Sequence, residues 1–137
     1  MENKKLLLSA KMVDCRTGKR AAVSTEVKVF SDLTCMYITF DCAEKSRTPK
    51  YDEYNKPLYE GDIVEVLLTL GSPRKYLEIE VNQNSAIYCA VIENRDGEGN
   101  ISIQKLPKAL CEVNVTLTEG KWCTEIIICY SSILLLG

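Results

Sequence analysis

The sequence predicts an all-β fold: an antiparallel two-sheet β-sandwich, immunoglobulin-like or jelly-roll-like, formed as a single domain over residues 1–137. Three observations predict it. Strand-like runs of β-branched and aromatic residues recur along the chain, turn residues separate them, and no segment shows the 3.6-residue apolar repeat of a helix. Seven to nine short, evenly spaced strands are typical of two antiparallel sheets, and 137 residues are enough for one hydrophobic core.

Seven segments combine β-branched or aromatic residues with a two-residue alternation, the period of a strand. They are residues 24–30, 34–42, 63–69, 75–82, 85–93, 110–117 and 121–129. The alternation is clearest in 75–82, where Leu77, Ile79 and Val81 form one face and polar residues form the other. We expect the apolar face to pack and the polar face to point to water.

Turn residues connect these segments. Residues 83–84 (Gln-Asn) predict a two-residue turn that joins 75–82 and 85–93 as a hairpin. Residues 17–20 and 96–100 are two further predicted turns. Residues 43–57 hold two prolines and little periodicity, so they predict one long loop, and such loops often carry binding sites.

Composition and charge exclude several kinds of partner. Seventeen Lys and Arg residues oppose nineteen Asp and Glu residues, a net charge of -2, and no long basic run is present. The sequence therefore predicts no nucleic-acid partner. The N-terminal apolar run, residues 6–8, is too short for a signal peptide, and nothing later approaches a membrane span. We expect a cytoplasmic protein without a membrane partner.

The chain has seven cysteines and no histidine. No two cysteines form a Cys-x-x-Cys pair, so the sequence predicts no zinc site. Five of them lie in apolar strand-like segments: Cys35, Cys89, Cys111, Cys123 and Cys129. A reduced cysteine in such a segment behaves as a small core residue, which agrees with a reducing compartment.

Two neighbouring segments carry a family resemblance. Residues 57–66 (PLYEGDIVEV) place an aromatic and a loop acid before a strand, and residues 76–82 (YLEIEVN) follow after a turn. Two further segments contribute, residues 30–40 (FSDLTCMYITF) upstream and residues 122–128 (WCTEIII) downstream. These four segments, in this order along the chain, resemble the family 9 carbohydrate-binding domains and their bacterial relatives. Those relatives continue for several dozen residues past the last strand, so we expect a member shortened at its C-terminus.

The resemblance implies a non-catalytic module that binds a mono- or oligosaccharide. If 63–69 pairs with 75–82, Glu65 shares a polar face with the polar residues of the second strand. Carboxylates accept hydrogen bonds from sugar hydroxyls, and an aromatic ring at the rim stacks on a pyranose. The predicted sugar-contact residues are Tyr59, Glu65, Tyr76, Glu78, Glu80 and Asn82. Some relatives have an arginine at the position of Glu80.

Other interpretations of the same residues stay open. The polar face of an antiparallel sheet often faces water and binds no ligand. Paired carboxylates such as Glu65 with Glu78 or Glu80 also serve glycosidases, but a short chain with an open sheet face favours a binder over an enzyme. Without histidine, no Ser-His or Cys-His pair forms. The main rival is an intracellular protein-interaction or regulatory sandwich that has lost its sugar site, which the absence of an export signal favours.

Three further predictions concern single positions. Relatives often carry a structural calcium, and Asp96, Glu98 and Asn100 offer oxygen ligands at alternate positions. A turn needs the same residue types, so we predict a turn there, and neither a metal nor a cofactor. Asp62 is predicted to fix the preceding loop through a hydrogen bond. Trp122 begins an apolar strand and is predicted to pack in the core.

Overall fold

The computed structural model describes residues 3–44 and 47–134, without the side chain of Leu70. These residues form nine strands, one 3₁₀ turn at Leu58–Glu60 and a short helix, α1, at Tyr130–Leu134. Every strand pair is antiparallel, and the strands form two sheets. The all-β fold with two antiparallel sheets is therefore confirmed. None of the described helices is long and apolar enough to cross a membrane.

The chain divides into two compact units, Met1–Arg47 with Cys111–Tyr130, and Thr48–Leu110 with Ser131–Gly137. The single domain therefore stays a prediction. The strands of the first unit are β1 (Lys5–Lys11), β2 (Thr25–Ser31), β3 (Cys35–Ala43), β8 (Glu112–Thr118) and β9 (Lys121–Cys129), in the order β1-β2-β3-β9-β8. The strands of the second unit are β4 (Val64–Ser72), β5 (Lys75–Val81), β6 (Ile87–Asn94) and β7 (Ile101–Lys105), paired in chain order.

All seven predicted segments are strands, with ends that shift by at most three residues. The sequence did not mark β1 and β7. The β1 segment, KLLLSAK, breaks the two-residue alternation with three successive leucines, and every residue of it is exposed. The β7 segment has only five residues, all of them exposed. Strands at a sheet edge bury little surface, so their sequences carry little of the alternating pattern.

In the first unit, β9 shows why the alternation predicts strands well. Trp122, Thr124, Ile126 and Ile128 are buried, while the residues between them are only half-buried. Trp122 is 4% exposed, so its predicted place in the core is confirmed. Burial of such side chains supplies most of the stabilising free energy of a small β protein, about 1.5–3 kcal/mol for each fully buried aliphatic residue.

The cysteines divide by burial. Cys35 and Cys89 are buried, as predicted, whereas Cys111, Cys123 and Cys129 are half-buried. The prediction that these five cysteines are core residues is therefore confirmed for two of them. The predicted turn at residues 96–100 is confirmed, because Asp96 Oδ1 accepts hydrogen bonds from the backbone N–H groups of Glu98 and Asn100.

In the second unit, β5 has one fully apolar face. Leu77, Ile79 and Val81 are completely buried, which confirms the predicted packing face. The opposite face does not point uniformly to water. Glu78 is half-buried there, and Glu80 is only 3% exposed. The prediction of a solvated polar face is therefore wrong at Glu80, because the 3₁₀ turn reaches this strand and its backbone contacts the Glu80 carboxylate.

The β5–β6 hairpin is confirmed, but its connection has three residues instead of two. Asn82 N–H donates to Ala86 O at 3.3 Å, and Ser85 N–H donates to Asn82 O at 3.1 Å. Ser85 has a φ of +62°, in the left-handed region. A type I turn followed by one left-handed residue is the usual three-residue hairpin loop.

The extra loop residue changes which side chains meet. A two-residue turn at 83–84 places Ile87 opposite Glu80, whereas in the structure Tyr88 lies opposite Glu80. Side chains alternate between the two faces of a strand, so a shift of one residue exchanges the faces. The three-residue loop therefore brings a tyrosine, instead of an isoleucine, to the acidic face of the sheet.

Candidate functional site

Three glutamates lie together on one face of the four-stranded sheet. Glu65 on β4 is directly opposite Glu80 on β5, and Glu78 precedes Glu80 by two residues on the same face. One carboxylate oxygen from each residue lies within 4.8 Å of the others. Glu65 is exposed, Glu78 is half-buried and Glu80 is buried. The structure therefore brings together three of the six predicted sugar-contact residues.

The acidic cluster, Glu65, Glu78 and Glu80, forms no ion pair within the part of the chain that the structure describes. Like charges at directly opposed positions of a sheet repel each other. The cluster must therefore lower its charge by another route, through a proton, a bound cation or hydrogen bonds from a ligand.

The proton route is visible in the pKa values. Burial, and then the neighbouring carboxylates of Glu78 and Glu65, raise the pKa of Glu80 to about 8, although the backbone N–H of Tyr59 donates to it and opposes the shift. Burial and Glu78 also raise the pKa of Glu65. Glu80 is therefore mostly protonated at neutral pH, and a polar group that enters the cluster meets a carboxylic acid beside carboxylates.

One oxygen of Glu80 has no partner. The Oε2 atom is buried, and it makes no hydrogen bond within the described part of the chain. Nearly all buried polar atoms in proteins are hydrogen-bonded, and leaving one unpaired costs about 1–3 kcal/mol. A ligand hydroxyl or a cation that bound this oxygen, beside two other carboxylates, would remove that cost and so would bind favourably.

The 3₁₀ turn places an aromatic ring at the edge of the cluster. Leu58 is fully buried and anchors the turn, whereas the next residue, Tyr59, is 68% exposed. The backbone N–H of Tyr59 donates a hydrogen bond to the Glu80 carboxylate. The sequence prediction that Tyr59 accompanies Glu65 therefore has a structural basis: the turn connects the exposed ring to the acidic face.

Asn82 has a different role from the predicted one. It is fully buried, and its Oδ1 accepts from the N–H groups of Asn84 and Ala86 at 3.0 and 3.1 Å. Its Nδ2 donates to the carbonyl oxygens of Lys50 and Tyr51 at 2.8 and 2.9 Å. Every polar atom of the side chain is engaged, so Asn82 holds the long loop against the hairpin and is not retained as a sugar-contact residue.

Other side chains fix the same loop. Asp62 Oδ2 accepts hydrogen bonds from the backbone N–H of Thr48 and from Gln83 Nε2, both at 3.2 Å, so the predicted role of Asp62 is confirmed. Gly61 is required by close approach, because a Cβ atom there lies 2.5 Å from Thr48 O. The loop is therefore attached at several points beside the 3₁₀ turn, which fixes the position of Tyr59.

Tyr88 belongs to the site, although the sequence interpretation missed it. It lies opposite Glu80, and Lys105 Nζ is 5.8 Å from the centroid of its ring. Burial, followed by the charges of Glu78 and Glu80, raises the pKa of Tyr88. The alternation of residues 85–93 predicts that Tyr88, Ala90 and Ile92 share one face of the strand. The length of the hairpin loop decides which face of the sheet that is, and the three-residue loop places it on the acidic face.

Tyr51 and Tyr76 complete the aromatic side chains near this face. Tyr51 is 41% exposed and has a φ of +69°, and its hydroxyl donates to Glu60 Oε1 at 2.6 Å. Tyr76 is half-buried and lies opposite Ile92 on the face of Glu78, two residues along β5. That spacing is about 6.6 Å, so Tyr76 borders the acidic cluster without belonging to it.

The first unit has a groove of about 400 Å³ over β2, β3, β8 and β9. Each carboxylate that lines it has a partner. Lys28 lies 3.3 Å from Glu26, Lys121 lies 3.5 Å from Asp41, and Asn114 donates to Glu125 at 3.1 Å. The groove therefore holds no cluster of opposed carboxylates, and the acidic cluster is the stronger candidate.

No protein-family model, curated protein or solved structure matches this chain. The resemblance to the family 9 carbohydrate-binding domains therefore stays a prediction. The acidic cluster and the tyrosines around it carry the functional assignment.

Proposed function

We propose that this chain is a non-catalytic carbohydrate-binding module that recognises a mono- or oligosaccharide on the acidic face of its four-stranded sheet. One observation carries the proposal: the three carboxylates of the acidic cluster form no ion pair with a lysine or arginine of residues 3–44 and 47–134, and the exposed Tyr59 contacts Glu80 through its backbone. Carboxylates without a cation partner are strong acceptors for hydroxyl groups, and an exposed tyrosine offers an apolar surface at the same place.

The division of labour follows from exposure. Glu65 is exposed and Glu78 is half-buried, so these two accept hydrogen bonds from sugar hydroxyls. Tyr59 stacks against the C–H face of the pyranose ring. Glu80 is almost completely buried and therefore offers the sugar little surface. Its role is to hold a proton, which reduces the negative charge beside Glu65 and Glu78. An open site on a sheet face suits weak binding, with a Kd on the order of 10 μM to 1 mM.

Binding is favoured over hydrolysis by the position of the carboxylates. Glycosidases hold two catalytic carboxyl groups on either side of a scissile bond. In the acidic cluster the carboxylates lie side by side on one face of a sheet, with Glu65 exposed. This arrangement supports a non-catalytic module.

A protein-interaction sandwich is the second candidate. One observation favours it: Leu6, Leu7 and Leu8 on β1, an edge strand of the five-stranded sheet, are about half exposed. Edge strands with exposed apolar residues pair readily with another chain. This candidate predicts binding that depends on β1 and ignores sugars.

A glycan array followed by calorimetry on the strongest ligand tests the proposed function. We expect Tyr59→Ala and Glu65→Gln each to weaken binding at least about tenfold, with little change in melting temperature. Leu33→Ala and Glu98→Gln are matched controls, because Leu33 is fully exposed and Glu98 lies in the exposed 96–100 turn. Both controls should bind as the wild type does.

Equal affinity in the wild type, Tyr59→Ala and Glu65→Gln would remove the proposed site. An array without any ligand, together with association that is lost when Leu7 is replaced by Asp, would instead favour the protein-interaction candidate.

A further inference from the structure

We infer that the acidic cluster binds a divalent cation of the calcium type, coordinated by Glu65, Glu78 and Glu80, and that this cation presents open coordination positions to sugar hydroxyls. The cation site stands on its own geometry. Only its bridging role rests on the proposed function.

The dimensions of the cluster suit calcium. Calcium binds oxygen ligands at about 2.3–2.6 Å, so two ligands on opposite sides of the ion are about 4.6–5.2 Å apart. One oxygen from each of the three glutamates lies within 4.8 Å of the others, so all three fit around one ion. Three carboxylates supply three to six of the six to eight oxygens that calcium takes, and the remaining positions are open.

A second observation points to a ligand independently of the acidic cluster's composition. The side chain of Glu80 is 97% buried, and its Oε2 makes no hydrogen bond in the described residues. The Glu80 carboxyl group also lies within hydrogen-bond reach of Glu78 and accepts a hydrogen bond from the backbone N–H of Tyr59. A buried, unpaired oxygen on a carboxyl group that lies against two others supplies one preformed ligand of a cation site.

The first test is calorimetry with calcium alone, on the whole chain after treatment with a chelator. We expect one site with a Kd of about 10⁻⁵–10⁻³ M. Terbium luminescence excited through tyrosine is a second readout, since Tyr59 and Tyr88 lie at the cluster.

Glu80→Gln keeps the shape of the side chain and removes its charge, so it should weaken calcium binding at least about tenfold. Glu60→Gln is the control, because Glu60 is an exposed acid of the same 3₁₀ turn outside the acidic cluster. No calcium binding by the wild type up to 10 mM, or equal binding by Glu80→Gln, would overturn the inference.

Sugar calorimetry in calcium and in chelator separates the two proposals. Sugar binding that survives in chelator, with no calcium binding, sinks the cation site and leaves the sugar module. Calcium binding without any sugar ligand sinks the sugar module and leaves the cation site. Sugar binding that requires calcium supports both.

A different observation carries a second inference: we infer that Cys35 and Cys129 form a cross-strand disulfide under oxidising conditions. They lie directly opposite each other on β3 and β9, and their sulfur atoms are 2.6 Å apart. Tyr130 N–H donates to Thr34 O at 3.0 Å, so the next pair along is hydrogen-bonded and the cysteine pair is not. Such pairs have Cα atoms about 4.5 Å apart, within the span that a disulfide bridges.

The chemistry requires an external disulfide such as oxidised glutathione. The thiolate of Cys129, the more exposed of the two, attacks a glutathione sulfur and releases one glutathione thiolate. Cys35 then attacks the sulfur of Cys129 and releases the second. Two protein thiols are oxidised, one glutathione disulfide is reduced to two thiols, and the two protein protons pass to them. The pKa of Cys129 is raised by a hydrogen bond with the Cys35 thiol, by burial and by nearby negative charges. Less thiolate is then present near neutral pH, so the exchange should be slow.

Thiol counting on the whole chain tests this inference. After reduction, incubation with oxidised glutathione and denaturation, we expect maleimide to label five of the seven cysteines, and peptide mapping to join Cys35 to Cys129. The melting temperature should rise by about 5–10 °C, because the bridge closes a long loop. Cys111→Ala should keep the bridge, and Cys129→Ala should lose it.

Seven labelled cysteines in the wild type, a different pairing, or glutathione adducts alone would overturn the disulfide. Because this result comes from the wild type, it stands even if a cysteine variant fails to fold.

Discussion

Glu65 and Glu80 lie directly opposite each other on β4 and β5, so two acidic side chains occupy one cross-strand pair. Glu78 lies beside them, and no basic residue of the described chain forms an ion pair with the three. Two ionised carboxylates at opposed positions of a sheet repel each other, and the raised pKa of Glu80 keeps this residue mostly protonated at neutral pH. This pair is therefore the main reason for assigning function to this face.

The pH dependence of stability follows from Glu80. Its pKa is raised from about 4.5 to about 8, so between these values the folded chain binds more protons than the unfolded chain. Its stabilising contribution is complete below about pH 4.5 and is lost as the pH rises through about 8. Urea denaturation from pH 5 to pH 9 should show stability falling across this range.

Glu80→Gln should flatten that pH profile, because the amide does not titrate. Glu98→Gln, in the exposed 96–100 turn, should keep the slope of the wild type. A wild-type slope in Glu80→Gln would show that another group causes the dependence.

Replacing Glu65 by Gln should stabilise the protein at pH 9, where both opposed carboxylates are charged. We expect a gain of about 0.5–1 kcal/mol in the free energy of unfolding and a lower pKa for Glu80, measured by denaturation and by carbon NMR of the side chain. Glu93→Gln is the contrasting variant, because Glu93 lies opposite Lys75 and should lose stability. A loss of stability in Glu65→Gln would contradict the assumed repulsion.

Asn82→Ala should lower the free energy of unfolding by about 2–4 kcal/mol, because it removes four hydrogen bonds and leaves buried backbone groups unpaired. Asn84→Ala should lose about 1 kcal/mol or less, since Asn84 is exposed and its side chain donates only to Tyr51 O. Chemical denaturation compares the two. Similar losses in both variants would argue against Asn82 as the anchor of the long loop.

Ser85→Gly should raise stability by about 0.5 kcal/mol, because glycine adopts a φ of +62° without the strain of a side chain. The same change at Asn84, which is not in the left-handed region, should lower stability. Thermal melts of both variants test the three-residue loop. A stabilising Asn84→Gly with a destabilising Ser85→Gly would indicate the two-residue turn instead.

Much of the fold was visible in the chain. Alternating segments predicted seven of nine strands, because a half-buried strand must place apolar residues at every second position. The missed strands, β1 and β7, are exposed and carry no such constraint. The same alternation placed Glu65, Glu78 and Glu80 on one face once β4 and β5 were paired.

The rest of the site depended on contacts that sequence spacing does not encode. Asn82 was assigned to the polar face by parity, but the strand ends at Val81 and the amide turns to hold residues 50–51. Tyr88 was missed because one additional loop residue moved it opposite Glu80. Burial of Glu80 was not foreseen, because it comes from a turn more than fifteen residues earlier in the chain.

The sequence by itself determined that this protein forms two antiparallel sheets and has acids at alternate positions of one strand, since both follow from the two-residue period. Tertiary structure alone decided that the two acids of β5 meet Glu65 of β4 with no ion pair to a basic residue of the described chain, that Glu80 is buried with an unpaired oxygen, and that Tyr59 and Tyr88 lie beside them. The physical reason is that strand period is a local property of the chain. Register, burial and the pKa of a carboxylate depend on which distant backbone arrives next to it.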